Sequence, residues 1–185
     1  MSNAFPSHTR ESAPEAALSV FDASESKYGM VANLFRKMAE APSLLQGYWA
    51  LSGLFEQSSL SPTEQQVVLI AVSARNACHY CVAVHSALAD MTRVPTEVTD
   101  ALRTGAAIPD PRLEALRRFT EQVVEARGWV PEAEVQAFLD AGYSRAQVLE
   151  VVLGVGLKTL SNYTNHLAGT ELDAPFAGRA WEQVA

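Results

Sequence analysis

Apolar positions recur with helical spacing from residue 31 almost to the end of the chain. Val31, Leu34, Phe35 and Met38 fall at i, i+3, i+4 and i+7, the repeat of a helix that buries one face. After Pro42, Leu44, Leu45, Tyr48, Trp49, Leu51 and Leu54 mark a second segment. Ser61-Pro62-Thr63-Glu64 opens a third. Serine at the N-cap, proline in the first turn and glutamate at the third helical position make a capping box. This helix carries Val67, Val68, Ile70 and Ala71, is apolar on most sides, and is expected to be central. Asn76 and Ala77 end it, and Cys78 begins a helix running through His85 to about Asp90. Pro95, then Pro109 and Pro111, then Gly128 and Pro131 punctuate three further helices. Ser144 and Gln147 repeat the capping-box pattern before a long apolar helix reaching about His166. No stretch alternates apolar and polar residues between turn signals as a strand does. The pattern predicts an all-α, single-domain bundle of about seven or eight helices.

Residues 1–26 differ. They are rich in Ser, Ala, Pro and Glu with little periodicity, and read as a flexible N-terminal arm with a turn of helix around Glu15 to Phe21. The helical domain is then 27–185. The two capping boxes, each followed by a Val-Val-Leu run, suggest an internal duplication of a helical unit. The second copy has Asn162 and Asn165 roughly where the first has its cysteines, which confines any thiol chemistry to one half.

Composition narrows the function classes. Apolar residues at 48% and charged residues at 19% describe an ordinary globular chain. A net charge of −7 argues against nucleic acid or an anionic membrane as the main partner. The apolar run Val67 to Val72 is far below the ~18 residues of a membrane span. The opening residues lack a basic stretch followed by an apolar one, so no secretory signal is expected, and the chain is expected to be cytoplasmic.

Both cysteines of the chain lie in Cys78-His79-Tyr80-Cys81, with His85 four residues on. At about 100° per residue, Cys78, Cys81 and His85 share a helical sector of roughly 60°. A disulfide closing so short a loop restricts the unfolded chain little, so stability is a poor reason for the pair. Chemistry is a better one. The positive end of a helix and an imidazole one turn on both favour a thiolate, which attacks, while the second thiol resolves the product as a disulfide. Adjacency to His85 makes Cys81 the attacking thiol and Cys78 the resolving one, with His85 moving the proton. The target is a peroxide or another disulfide, and the residues alone do not choose. Two rivals stand beside this reading. One is a non-catalytic helical assembly module whose dithiol senses redox state. The other is a metal site formed by the cysteines and a histidine, though a structural zinc wants four ligands and no second cysteine pair exists.

Glu64 has a complete task as the third residue of its capping box, yet its helical angle also leaves a part in proton transfer open. Glu150, inside an apolar helix, is a further candidate acid. Lys158 and His166 read as helix-end or interface residues, and Asn162-Tyr163-Thr164 as a chance glycosylation pattern.

The run from Leu60 to Ser86, with its Cys78-x-x-Cys81-x-x-x-His85 core, resembles the alkylhydroperoxidase D (AhpD)-like proteins of the carboxymuconolactone decarboxylase superfamily. The stretches 156–166 and 172–176 resemble a peroxidase-related branch of it. The resemblance implies an all-helical fold and thiol-dependent peroxidase activity; no cofactor and no metal are expected. It also implies homo-oligomers (dimer, trimer or hexamer) and re-reduction by a dithiol such as a lipoylated protein. By the same resemblance Cys78, Cys81 and His85 match the family's functional residues. Gln66 stands where the family usually has a glutamate, and Tyr80 where it has a further histidine. The proton-relay carboxylate is therefore open between Glu64 and Glu150, with Gln66 in the usual place.

Overall fold

The capping boxes at Ser61 and Ser144 both form, and they start the two helices that organise the molecule. A computed structural model describes residues 4–183; the first three residues of the expected arm and the last two of the chain lie outside that range. Among the described residues there are nine α-helices and no strand: α1 Glu15–Tyr28, α2 Asn33–Met38, α3 Pro42–Glu56, α4 Pro62–Arg75, α5 His79–Met91, α6 Thr96–Thr104, α7 Pro111–Glu125, α8 Glu132–Asp140 and α9 Arg145–Ala168. A 3-10 helix, Ala174–Arg179, follows. No helix among them is long and apolar enough to cross a membrane.

α4 is central, as its all-round apolar surface predicts. Val67, Val68, Ile70, Ala71 and Val72 are buried, and α3, α5, α6, α7 and α9 surround it. α9 crosses close to α4 because position 154 is glycine. A Cβ there would lie 2.7 Å from Val68 Cγ1 and 2.8 Å from Phe55 Cε2, inside van der Waals contact.

The N-terminal segment is more ordered than its composition suggests. In place of one turn of helix, α1 runs for 14 residues and ends on a left-handed Gly29. Ala17, Val20 and Phe21 are buried, and the helix packs on α3. Its apolar stripe is too narrow to stand out in the sequence, so this burial depends on the neighbour. At the other end, the chain leaving α9 turns back over α5 as a strap containing the 3-10 helix.

Candidate active site

The cysteines sit at a sharp junction. α4 closes in a Schellman arrangement: Cys78 N donates to Ser73 O (2.9 Å) and Ala77 N to Ala74 O (3.0 Å). Ala77 takes the left-handed conformation (φ 51°) that glycine usually fills there. This turn makes Cys78 the N-cap of α5 and puts Cys81 in its first turn, where unpaired amides and the helix dipole favour a negative sulfur. Both are free thiols, 1% and 2% exposed.

Facing them, α9 presents Lys158, Ser161, Asn162 and Asn165, all buried, in a stripe at i, i+3, i+4 and i+7. Asn165 Nδ2 donates to Cys81 Sγ at 3.2 Å and lies 3.7 Å from Cys78 Sγ. Ser161 Oγ is 3.7 Å from Cys81 Sγ. Asn162 braces the stripe against α4 through Ser73 (3.4 Å) and Asn76 (3.0 Å). Burial by itself pushes the Cys81 thiol up. The hydrogen bond from Cys78, the Lys158 charge and the contacts of Ser161 and Lys158 outweigh it and hold Cys81 well below the ordinary thiol range. Cys78 goes the other way: as the donor to its ionised neighbour, and by burial, it stays a thiol. The pair is thus polarised, Cys81 toward the thiolate and Cys78 toward the thiol.

The cation beside the thiolate is Lys158, not His85. Burial pushes the Lys158 ammonium down, but the negative Cys81 outweighs this and keeps it charged. Its Nζ is 3.0 Å from His85 Nε2. An ammonium has only hydrogens to offer, so Nε2 accepts and Nδ1 carries the proton, 3.2 Å from Gln66 Oε1. Burial, then the Lys158 charge, push His85 well below its ordinary value and leave it neutral. His85 therefore orients the lysine, and Gln66 fixes the tautomer. The expectation of an imidazole acting directly on sulfur gives way to a Gln66–His85–Lys158–Cys81 chain.

Glu64 stands outside this group. One carboxylate oxygen accepts from Ser61 N (2.7 Å) and the other pairs with Arg112 (2.5 Å), so both are occupied by structure. Glu150 binds Ser59 through its amide (2.8 Å) and hydroxyl (2.7 Å), tying α9 to the turn before α4, and His166 is exposed. Neither reaches the sulfurs. Among the described residues no three His, Cys, Asp or Glu side chains are grouped to hold a metal; His85, the third donor a cysteine-histidine site needs, is engaged elsewhere.

A cavity of about 530 Å³ opens onto Cys81, with Gln66, His85 and Lys158 beside it. Cys78 is not part of its wall. The rest is mostly apolar and aromatic: Tyr28, Phe35, Tyr48, Trp49, Phe55, Leu69, Leu88 and Phe176. Phe35 and Tyr28 meet the Trp49 ring edge-on, at 5.8 and 6.2 Å between centroids. At the rim, Lys27 pairs with Glu56 (2.6 Å) and lies over the Tyr28 ring.

This architecture has known counterparts. Residues 42–122 match the model of the carboxymuconolactone decarboxylase family, a span that contains the whole dithiol helix. The chain has the AhpD-like fold. The AhpD-like fold extends over nearly all of it. An uncharacterised peroxidase-related protein from Ralstonia eutropha JMP134, described as an alkylhydroperoxidase AhpD core, superposes with a TM-score of 0.84 at 23% identity, covering 96% of this chain and 97% of that one. A peroxidase-related protein from Silicibacter sp. TM1040 gives 0.81 at 20% identity, over 95% and 93%. A cysteine-to-alanine variant of the debrominase Bmp8, solved with 2,3,4-tribromopyrrole, gives 0.81 at 16% identity, over 97% and 96%. No curated protein matches the sequence.

Proposed function

We propose that this AhpD-like protein reduces apolar organic hydroperoxides with its own dithiol. The observation that carries the reading is the polarised pair: an ionised Cys81 at the floor of an aromatic cavity, with a protonated Cys78 directly behind it. Cys81 sulfur attacks the terminal oxygen of the hydroperoxide and the O–O bond breaks. Lys158 gives a proton to the departing alkoxide, so an alcohol leaves and Cys81 is a sulfenic acid. Cys78 condenses with it, releasing water and forming the disulfide. The substrate oxygen gains two electrons and the dithiol loses two. A dithiol then restores the pair, a lipoylated protein being the kind the resemblance suggests, and the working unit on the same ground is a homo-oligomer.

The cavity argues for the organic part of the substrate. Hydrogen peroxide needs little more space than a water molecule, whereas about 530 Å³ of mainly apolar wall suits a small organic molecule. Cumene hydroperoxide is therefore expected to exceed hydrogen peroxide in kcat/KM by at least about tenfold, a modest share of what burying several carbons contributes. Equal values for the two would remove the organic hydroperoxide from the reading, and two intact thiols after stoichiometric peroxide would remove the peroxidase itself.

The same site favours one alternative electrophile. The aromatic wall around Cys81 fits a planar ring, and the debrominase named above has this fold. A dithiol supplies the two electrons that convert an aryl halide and a proton into an arene and halide. Halide release from a brominated pyrrole, measured beside hydroperoxide loss, decides between the two.

A further inference from the structure

The two residues between the cysteines hold the two ends of the C-terminal strap. Tyr80 donates its hydroxyl to Asp173 Oδ2 at 2.6 Å, just before the 3-10 helix, and Asp173 Oδ1 accepts from Asn33 N at 2.9 Å. His79 Nδ1 donates to the Trp181 carbonyl at 2.9 Å, just after that helix, and the two rings lie 5.5 Å apart. Arg103 strengthens the far end through the carbonyls of Arg179 and Ala180, both at 3.0 Å, and accepts from Trp181 Nε1 at 2.7 Å through its own carbonyl. Between these fastenings the 3-10 helix buries no residue at all, yet Pro175 and Phe176 form part of the cavity wall. Arg179 at the end of the 3-10 helix also pairs with Asp90 of α5 and, at 3.6 Å, with Asp100 of α6. The segment is thus held at its ends by polar contacts, while its middle stays unburied and able to lift.

We infer that the strap 173–181 is a redox-responsive lid, seated over the cavity when Cys78 and Cys81 are reduced and released when they join. The inference rests on the dithiol cycle proposed above. Two consequences of that cycle act on the lid. Bond formation draws the two sulfurs from contact to bonding distance, and the turn between them consists of His79 and Tyr80, the lid's own fastenings. Oxidation also removes the anion that balances Lys158. The side groups around that ammonium, His85 and Tyr48, are neutral, so the lysine is left either charged without a partner or neutral far below its ordinary pKa. Both conditions penalise a closed, dry site, and admitting water relieves them. The direction suits the chemistry: the substrate reacts in a closed apolar cavity, and the disulfide is then exposed to its reductant. Cys78 is buried and outside the cavity wall, so an incoming dithiol meets the disulfide at Cys81, on the cavity floor that the lid covers.

The test is hydrogen exchange of the peptide spanning 172–183 in full-length protein, kept reduced with dithiothreitol or oxidised with diamide. Diamide forms the disulfide without any peroxide, and intact mass verifies it. Oxidation is expected to speed exchange in this peptide by about tenfold or more while leaving α7 unchanged, the mark of a local opening. Tyr80→Phe and Asp173→Asn should each exchange rapidly before oxidation and change little after it. Cys78→Ser should show no response to diamide. Equal exchange in reduced and oxidised wild-type protein overturns the lid. A lid that responds to diamide in a protein that consumes no hydroperoxide supports this inference while removing the peroxidase reading, so the two fail separately.

Discussion

Replacing Lys158 with methionine removes the one charge that faces Cys81 from α9 and nearly preserves the side chain's shape. Two unit charges about 4 Å apart at an effective dielectric of about 20 attract by about 4 kcal/mol, close to three pH units in a thiol midpoint. Asn165 and the Cys78 thiol still donate to the sulfur in the variant, so part of the acidity survives. The expected displacement of the Cys81 midpoint is upward by about two pH units or more. A thiol returned to its ordinary range is only a few per cent ionised at neutral pH, so alkylation by iodoacetamide should slow by about 30-fold or more there. The assay is the rate of single alkylation across the pH range, read by intact mass. Wild-type protein should react at a nearly constant rate down through the ordinary thiol range, because Cys81 stays ionised there. The variant should lose rate steadily with falling pH. Stability should change less than for a broken buried ion pair, since the orphaned thiolate simply takes a proton. Superimposable profiles for the two proteins would refute the assignment of Lys158 as the thiolate's counter-charge.

Three other outcomes follow from particular contacts. Folding at neutral pH expels a proton from Cys81, so stability of the reduced protein should rise toward about pH 8.5 by up to about 1.4 kcal/mol per pH unit, and be lost as pH falls toward the folded midpoint. His85, kept neutral, adds a second loss below about pH 6.5, where the unfolded chain takes up a proton that the folded one refuses. Urea midpoints should show the first slope flattened in Cys81→Ser and the second in His85→Gln. Glu64→Ala should lower stability by about 1–2 kcal/mol through loss of the cap and of its pairing with Arg112, with turnover per folded molecule unchanged; a selective loss of turnover would return Glu64 to the site. Gly154→Ala should overpack Val68 and Phe55, cost about 1–3 kcal/mol and lower Tm by several degrees, readable by calorimetry.

Local signals carried most of the fold. The Ser61 and Ser144 boxes and the apolar runs place the ends of α4, α5 and α9 within two residues, and the prolines separate the helices between them, because caps and periodicity are written in neighbouring residues. The dithiol was legible for the same reason; of its two cysteines, only Cys81 lines the cavity, which spacing alone does not say. Lys158 was not. A lysine late in an apolar helix looks like a solvated end until α4 and α5 are packed against it. Its signal was the polar stripe Lys158, Ser161, Asn162, Asn165, whose helical spacing marks one buried face. The same distance in sequence, 73 residues from His85 to Lys158, hid the imidazole's true partner. Helix α1 was understated because Ala17, Val20 and Phe21 make a weak stripe unless α3 is there to receive it.

The cavity neutralises itself at both ends, with Lys158 against Cys81 at the floor and Lys27 against Glu56 at the rim. An uncharged molecule entering it therefore meets two short dipoles whose fields fade within a few ångströms, and the chain's net charge of −7 exerts no pull on it. Capture is left to desolvation, which background electrolyte barely touches. Second-order rates with an uncharged substrate should accordingly stay level from dilute buffer to high sodium chloride, whereas a site that lured its ligand by charge would slow steeply.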